Sequence, residues 1–440
     1  MRSTVTGIEW PAIVEPSTAQ LFALAWQLEQ TQWWPADKLR RHQELQLRML
    51  LAHALTVPHY EATLFGIGFA DFAKGWARVP ILTRDQVIAA GDRLLSRKYP
   101  AQHGNTGDIL TSRTSGTPVR VRGSEVTTLF WRALTLRDHA WHRRDLAAKL
   151  ATIRYTGDEA RPPDGARSTC WGPAMAAVAP EAPLSRLSVA STTDEQIAWL
   201  VREAPAYLIV YPTVLEAILR RGLTLPSLRE VRTVSEALPD GLRALCRDTL
   251  GVPLVDMYSA QEVGYLALQC PTGAHYHVQS ESVVVEILRD DGSPCAPGET
   301  GRVIVTDLHN FATPLIRYEL GDYAEVGTCT CGRGLPVLTR IVGRRRGMLR
   351  YADGRTTWPV FTVACREAAR YRECQLVQDS LSSLRLRVVP DGALAPGAEA
   401  ALIAALQRVL GPFEVTVEVV AQLDRSPAGK LEEFVSRVQA

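Results

Sequence analysis

The chain has 440 residues, with 46% hydrophobic and 22% charged residues, which is typical of a globular protein with a large core and more than one domain. Its net charge is only +2, so neither nucleic acid nor a membrane surface is indicated as a partner. The amino terminus lacks the apolar segment of a secretion signal, and no apolar run reaches the length of a membrane span. Eight cysteines without secretory features indicate reduced thiols or a metal site, and we expect a cytoplasmic protein.

The first 60 residues have the periodicity of amphipathic helices and contain no pattern that indicates chemistry. Ser17 is placed to cap a first helix, and residues 36–57 predict a second one. Further along, Thr83 and Gln86 have the spacing of a capping box. We expect this region to be scaffold.

The segment LTSRTSGTPVRVRGS at 110–124 is the first with a chemical signature. Hydroxyl groups and open backbone N–H groups around a glycine can cradle phosphates, which indicates Thr114, Ser115, Gly116 and Thr117. The alternative is a polar hairpin turn between two strands.

Residues 125–144 predict a long helix that packs tryptophans into the core and exposes a basic face. Residues 156–182, which are rich in proline, glycine and alanine, predict a loop. The apolar run YLIVY at 207–211 predicts a buried strand, followed by a helix that Thr213 would cap.

The segment VPLVDMYSAQEVG at 252–264 predicts a short buried strand that ends in an aromatic ring, small residues and one carboxylate. Gly251 ends the helical segment before it. Open α/β sheets bind ligands at the carboxyl ends of their strands, and a carboxylate there suits Mg²⁺ that carries nucleotide phosphates. Glu262 is therefore a candidate magnesium ligand, with a solvated glutamate after an ordinary strand as the alternative.

Three later segments follow this strand: PLIRYELGDYAEV (314–326), RIVGRRRGML (340–349) and RSPAGK (425–430). Together, and in this order, the four segments resemble those of the adenylate-forming enzymes, in particular the phenylacetate–CoA ligase-like branch. The resemblance extends over nearly the whole chain. It implies a large, multi-sheet α/β amino-terminal domain at residues 1–343 and a small, mobile α+β lid at residues 344–440.

The resemblance also implies a reaction. ATP would activate a carboxylic acid, in particular an aryl or arylacetic acid, to an acyl-adenylate, and the acyl group would pass to a thiol, coenzyme A. Carrier-protein phosphopantetheine is the alternative acceptor. A binding protein without turnover is a further alternative, because the phosphate loop lacks one glycine of the family pattern near Arg113 and Gly347 stands where the family usually has an acidic residue. Monomer and homodimer both remain open.

The same resemblance assigns roles to single residues. Glu262 would hold Mg²⁺, Lys430 would approach the reacting carboxylate, and Asp322 and Arg344 would hold the ribose. Glu236 also has the alternative of a carboxylate at the start of a helix. The other nucleotide contacts would come from the phosphate loop and two strand ends, namely Thr114, Ser115, Gly116, Thr117, Glu236, Ala237, Tyr258 and Ser259.

Cysteine and histidine residues form a second group. Cys270 and His277 are seven residues apart, and Cys329 and Cys331 form a Cys-x-Cys pair 52 residues after the histidine. Three thiolates and one imidazole fill a tetrahedron and favour structural Zn²⁺. His275 competes with His277 as the ligand, and two loops with free cysteines are the alternative.

The last ~90 residues alternate strand patterns with a helical pattern at 399–410, which predicts a small α+β unit.

Overall fold

The computed structural model describes residues 3–110, 119–156, 159–344, 347–357, 359, 361–425 and 431–438. Its α-helices are α1 (Pro16–Thr31), α2 (Ala36–Ala54), α3 (Pro58–Thr63), α4 (Phe72–Arg78), α5 (Arg84–Ala90), α6 (Glu125–Trp141), α7 (Thr193–Glu203), α8 (Pro212–Arg220), α9 (Leu242–Leu250), α10 (Thr362–Ala368) and α11 (Ala398–Leu410). Two short 3-10 helices lie at Gly91–Leu94 and Ala101–His103.

The β-strands are β1 (Thr106–Leu110), β2 (Arg120–Ser124), β3 (Leu150–Arg154), β4 (Ala166–Ser168), β5 (Leu184–Ser188), β6 (Tyr207–Val210), β7 (Glu230–Thr233), β8 (Leu254–Ala260), β9 (Gly264–Gln269), β10 (Tyr276–Val278), β11 (Val283–Leu288), β12 (Thr300–Asp307), β13 (Tyr318–Gly327), β14 (Val337–Arg344), β15 (Leu349–Arg350), β16 (Thr356–Thr357), β17 (Tyr371–Gln378), β18 (Ser383–Pro390), β19 (Glu414–Val419) and β20 (Phe434–Ser436).

The large sheet has twelve strands within the described residues, in the order β11-β12-β13-β14-β10-β9-β8-β7-β6-β3-β5-β4. Strands β5, β3, β6, β7 and β8 run parallel, whereas β9, β10, β14, β13, β12 and β11 are joined by antiparallel pairs. Strand β8 pairs in parallel with β7 and antiparallel with β9. The direction of the sheet therefore changes at β8.

Two large apolar cores cover most of this sheet. One joins helices α1 and α6–α9 with the parallel strands, and the other joins helices α2–α5 with the antiparallel strands. A smaller cluster around Trp171 and Met175 packs on β3, β5 and β6. Strand β6 is a continuous apolar run, as expected of a strand that is covered on both faces, whereas β5 and β7 also bury polar side chains such as Ser185 and Arg232. The capping box at Thr83 and Gln86 is present at the start of α5, and the α/β fold class expected from the sequence is confirmed.

A four-stranded sheet in the order β19-β18-β17-β20 follows the large one. Helices α10 and α11 pack against it in a separate core that extends from Leu349 to Phe434. Among the described residues, every helix is too short or too polar to cross a bilayer.

One expectation about α1 and one about α6 are wrong. Helix α1 begins at Pro16 with Glu15 as its N-cap residue, so Ser17 lies inside its first turn; a proline at the first helical position sets the start instead. Helix α6 does not expose a basic face throughout, because Arg137 is buried in an ion pair with Glu281 at 2.8 Å.

Arg144, just after α6, is also buried. Its guanidinium pairs with Asp138 at 2.7 Å and with Glu230 at 2.6 Å. Arg232 joins the same carboxylate of Asp138. Buried side chains remain charged when groups of opposite charge pair with them. Here the paired groups come from separate segments of the chain.

Candidate active site

The candidate site lies at the edge of the large sheet where its direction changes. Because β7 and β8 are parallel, their carboxyl ends lie at the same edge, with Glu236 after β7 and Glu262 in the turn between β8 and β9. Ligands bind at such an edge in open α/β sheets. The two carboxylates therefore lie at the same edge of the sheet.

The carboxylate of Asp322 is held from two sides. Tyr258 donates its hydroxyl to Oδ2 of Asp322 at 2.8 Å, and Nε of Arg344 donates to Oδ1 at 3.2 Å. The register of β13 and β14 places Asp322 directly opposite Arg344. Ser259, the next residue of β8, pairs with Tyr265 of β9. The four predicted residues Tyr258, Ser259, Asp322 and Arg344 therefore lie around one short stretch of the sheet.

Glu262 has a partner that the sequence reasoning missed. The hydroxyl of Tyr318 donates to Oε1 of Glu262 at 3.4 Å, and Tyr318 is one of the two tyrosines in the segment 314–326 that supplies Asp322. Burial, and then the charge of Glu262, raise the pKa of Tyr318. Burial and the charge of Asp322 raise that of Tyr258. Both tyrosines therefore remain neutral O–H donors that orient carboxylates.

Glu236 is oriented by Thr213, whose backbone N–H and hydroxyl donate to Oε2 at 3.1 Å and 2.9 Å. The expectation that Thr213 caps its helix is wrong, because α8 begins at Pro212 after the N-cap residue Tyr211. Ser235 has a φ of 73°, a conformation that costs about 1–3 kcal/mol in a residue other than glycine. This turn directs the Glu236 side chain toward α8 and leaves Ala237 exposed in the loop.

Several predicted residues lie outside the described part of the chain: Thr114, Ser115, Gly116, Thr117 and Lys430. The described residues that follow Lys430 do reach the site. Burial lowers the pKa of Arg344, but the negative charges of Asp322, Glu262 and Glu432 raise it above the ordinary value. The carboxylate of Glu432 thus lies within electrostatic reach of the residues predicted to bind nucleotide.

The cysteine and histidine residues also converge. Strands β9 and β10 form a hairpin that carries Cys270 and His277, and β14, which pairs with β10, follows the loop that carries Cys329. The ligand atoms of Cys270, His275, His277 and Cys329 all lie within 4.8 Å of one another. The sulfur of Cys331 lies 3.3 Å from Nε2 of His277. The group of four therefore contains His275 in the place expected for Cys331, and Cys331 adjoins the group through its contact with His277.

The donor set fits a zinc ion. Zn–S and Zn–N bonds of about 2.3 and 2.1 Å place tetrahedral ligands about 3.5–4 Å apart, and the sulfurs of Cys270 and Cys329 are separated by 4.0 Å. Burial lowers the pKa of His277 to about 4, so its imidazole is neutral and can coordinate. Nδ1 of His277 lies 3.4 Å from the carbonyl oxygen of Leu335, which leaves Nε2 for a ligand. Among the described atoms, the buried Nε2 of His275 has no hydrogen-bond partner.

Arg333 connects this cysteine loop to the amino-terminal helices. Its Nη1 donates to the sulfur of Cys331 at 3.6 Å, and its Nε donates to Oε1 of Gln32 at 2.9 Å. The guanidinium lies 4.7 Å from the ring centroid of Trp33 and 4.5 Å from that of Trp141. The segment between α1 and α2 therefore rests on the loop that carries two of the candidate ligands.

Comparisons with known proteins show which proteins the chain resembles in sequence and in fold. The phenylacetate–coenzyme A ligase of Thermus thermophilus is 28% identical over 169 residues, which cover 36% of this chain and 38% of that enzyme. The sequence match thus spans less than half of the relative. No family model matches the chain.

Solved structures match over a greater length. A 2-hydroxyisobutyryl-CoA ligase in the postadenylation state superposes with a TM-score of 0.70 at 18% identity, covering 93% of this chain and 91% of that one. O-succinylbenzoate–coenzyme A synthetase from Bacillus subtilis, in complex with ATP and a magnesium ion, matches with a TM-score of 0.51 at 15% identity, covering 74% and 68%. The chain therefore has the fold of the adenylate-forming coenzyme A ligases and is similar in sequence to a phenylacetate–coenzyme A ligase, as its four ordered segments predicted.

Proposed function

We propose that the protein uses ATP to activate a carboxylic acid to an acyl-adenylate and then transfers the acyl group to a thiol. The observation that carries the proposal is the carboxylate of Asp322, held between Tyr258 and Arg344, beside Glu262 at the edge where the sheet changes direction. That edge is where a fold of this kind binds its ligands. The relatives named above, which are coenzyme A ligases, support the reaction class.

In the first half-reaction, an oxygen of the substrate carboxylate forms a bond to the α-phosphorus of ATP, and the bond to pyrophosphate breaks. Catalysis of such a step comes mainly from positioning and from neutralising phosphate charge. Asp322 would accept hydrogen bonds from the ribose hydroxyls, with Arg344 beside it. Bound Mg²⁺, held by Glu262, would neutralise charge on the phosphates. Thr114–Thr117 and Lys430 would contact the phosphates and the reacting carboxylate.

In the second half-reaction, the thiol sulfur attacks the acyl carbon and AMP leaves. We propose coenzyme A as this thiol and an aryl or arylacetic acid as the substrate, because the sequence relative is a phenylacetate–coenzyme A ligase. A carrier-protein phosphopantetheine is the alternative acceptor. Residues 344–440 would rotate as a lid relative to residues 1–343 between the two half-reactions.

We further propose that Cys270, His277, Cys329 and Cys331 hold a structural zinc ion, with His275 as the competing ligand. The convergence of these side chains and the neutral imidazole of His277 support this assignment. A closed tetrahedral site would join two loops and would not activate water. Reduced thiols in such a site are consistent with a cytoplasmic location.

Exchange of radioactive pyrophosphate into ATP tests the proposal, with a panel of carboxylic acids that includes benzoic and phenylacetic acids. We expect exchange that depends on both an acid and Mg²⁺, and formation of a coenzyme A thioester that mass spectrometry detects. ATP binding without exchange for any acid would instead identify a binding protein without turnover. Exchange without a coenzyme A thioester would indicate the carrier-protein acceptor.

A further inference from the structure

An ion pair joins the small carboxy-terminal sheet to the large domain. Arg366 of α10 contacts Oε1 of Glu216 of α8, and the side chains are 17% and 10% exposed. A second contact between the two parts, Arg221 with Asp391 at 3.6 Å, is more exposed, at 35% and 53%. Glu216 also pairs with Arg220 of the same helix at 2.9 Å, so Arg366 adds a second cation that comes from the small domain. Exposed ion pairs contribute little, whereas shielded ones depend on their partners. The contact of Arg366 is therefore the stronger of the two.

Two further carboxyl groups are linked electrostatically to this ion pair. Besides Glu216, the charges of both Arg366 and Glu236 act on the carboxyl group of Glu433, which precedes β20. Glu216 and Glu236 belong to the large domain, and Glu433 approaches them from the small one. Where Glu433 is charged, Arg366 offsets its repulsion from Glu236. Where Glu433 is protonated, that repulsion is absent.

Glu433, whose charge Arg366 compensates, belongs to the segment that follows Lys430. The carbonyl oxygen of Glu432 accepts from Nε2 of Gln375 at 2.9 Å, and that of Glu433 accepts from the backbone N–H of Leu376 at 2.7 Å. Both bonds attach the segment to β17 of the small sheet. The charge of Glu432 reaches Arg344 in the candidate active site. The position of this segment over the site therefore depends on how the small domain meets α8.

We propose that Arg366 is a positioning residue that docks the carboxy-terminal domain on α8 for the adenylation half-reaction. The proposal rests on the proposed function and on Lys430 as the lysine of that half-reaction. Arg366 does not touch substrate; it pairs with Glu216 and compensates Glu236 and Glu433, so that the segment after Lys430 lies beside Arg344. The pair must break when the domain rotates, so the thiol-transfer half-reaction does not need it.

The two half-reactions separate this role from a general effect on folding. Arg366→Ala should lower the rate of pyrophosphate exchange about 10- to 100-fold, because the docked arrangement loses its ion pair. Transfer of a chemically supplied acyl-adenylate to the thiol should stay within about twofold of wild type. Arg366→Lys should recover part of the exchange. The control is Arg408→Ala, whose side chain is 68% exposed and lies 3.9 Å from Glu367 within the same domain.

The partner residue gives a second variant. Glu216→Gln should lower exchange in the same way, and the double variant with Arg366→Ala should lose less than the sum of the two single effects. Equal losses in both half-reactions, or full additivity, would overturn the proposal.

Hydrogen exchange tests docking independently of catalysis. Without substrates, the amides of α8 should exchange faster in Arg366→Ala than in wild type or Arg408→Ala. This measurement remains decisive if the wild-type protein shows no pyrophosphate exchange, a result that would count against the proposed function and not against docking. Unchanged protection of α8 in Arg366→Ala would refute the docking role.

Discussion

Asp322 and Arg344 lie opposite each other on neighbouring antiparallel strands, with Oδ1 of Asp322 3.2 Å from Nε of Arg344. The pairing register, and not a flexible loop, sets this contact. Tyr258 completes it from a third strand. A rigid carboxylate of this kind suits recognition of a pair of hydroxyl groups, since its position need not be fixed when the ligand binds.

Asp322→Asn should weaken ATP binding about 10- to 100-fold, because an amide has one acceptor oxygen fewer and loses the charge that pairs with Arg344. Isothermal titration with ATP measures the effect. Asp248→Asn, at an exposed position of α9, is the matched control. Equal affinity of Asp322→Asn and wild type would remove Asp322 from the nucleotide site.

Glu262→Gln should raise the Mg²⁺ concentration needed for half-maximal pyrophosphate exchange about tenfold or more, because a neutral amide is a poor ligand for a hard cation. Tyr318→Phe should have a smaller effect of the same kind, since it removes only the hydroxyl that orients Glu262. Glu61→Gln, at an exposed position of α3, is the control. An unchanged Mg²⁺ dependence in Glu262→Gln would exclude this residue as the ligand.

Protein purified without added metal should contain about one zinc per chain by elemental analysis. Cys329→Ser should lose the zinc and lower the melting temperature, because two loops lose their common ligand. Cys295→Ser, which changes a cysteine outside the group, should keep both. The variants His277→Ala and His275→Ala identify the imidazole ligand, because only the variant that lacks this ligand should lose zinc. A wild-type protein that is free of zinc and fully stable would refute the site.

Lys430→Ala should lower pyrophosphate exchange about 10²–10³-fold, as is typical when one preorganised charge contact to a transition state is removed. Transfer of a supplied acyl-adenylate to the thiol should stay near the wild-type rate. Lys74→Ala, a highly exposed lysine of α4, is the control. Equal loss in both half-reactions would indicate a structural lysine, and no loss in either would indicate a different catalytic lysine.

The pH dependence of adenylation should involve Glu433. Burial raises the pKa of Glu433 from the ordinary 4.5 to about 7; the charge of Arg366 opposes this rise, and that of Glu236 adds to it. The thiol of Cys374 in β17 does not titrate in this range, because burial raises its pKa to about 12. A raised carboxyl pKa means that docking takes up a proton. Protonation of Glu433 therefore favours docking. Its contribution to the free energy of docking is complete below the ordinary pKa of 4.5 and is lost as the pH rises through about 7.

The ratio of pyrophosphate exchange to thiol transfer should therefore increase as the pH falls from 8 to 6, and Glu433→Gln should flatten this dependence. Measuring the rates of pyrophosphate exchange and thiol transfer between pH 6 and pH 8, in wild type and in Glu433→Gln, tests whether Glu433 is the titrating group. The same slope in wild type and Glu433→Gln would assign the titration to another group.

The sequence was sufficient for the apolar strands at 207–211 and within 252–264, because buried strands of this kind are continuous apolar runs, and Gly251, with φ of 71°, ends α9 where expected. Strands β3 and β5, whose sequences include polar residues, were not predicted. The sequence was also sufficient to identify the two pairs of candidate zinc ligands, Cys270 with His277 and Cys329 with Cys331. Their convergence depends on the pairing of β10 with β14, which joins residues about 60 positions apart. Local patterns do not encode such pairing, so only the resemblance to a known fold could suggest it.

Charged and hydroxyl side chains were harder to predict. Arg137 was expected in solvent because its partner Glu281 lies 144 positions away, and burial of a charge depends on such distant partners. Tyr318 and Thr213 were missed for the same reason, since the carboxylates that they orient come from other segments. One signal existed for Tyr318: it belongs to the segment that also supplies Asp322.

The guanidinium of Arg333 lies between the rings of Trp33 and Trp141 while it bonds to the sulfur of Cys331. A cation close to an indole alters the fluorescence emission of that indole. Trp33 and Trp141 can therefore report on changes in the cysteine loop. Removal of a bound metal by a chelator should change tryptophan fluorescence, and Trp33→Phe should diminish that signal. Occupancy of the candidate metal site could then be followed in real time, without a label and without any knowledge of the proposed acid substrate.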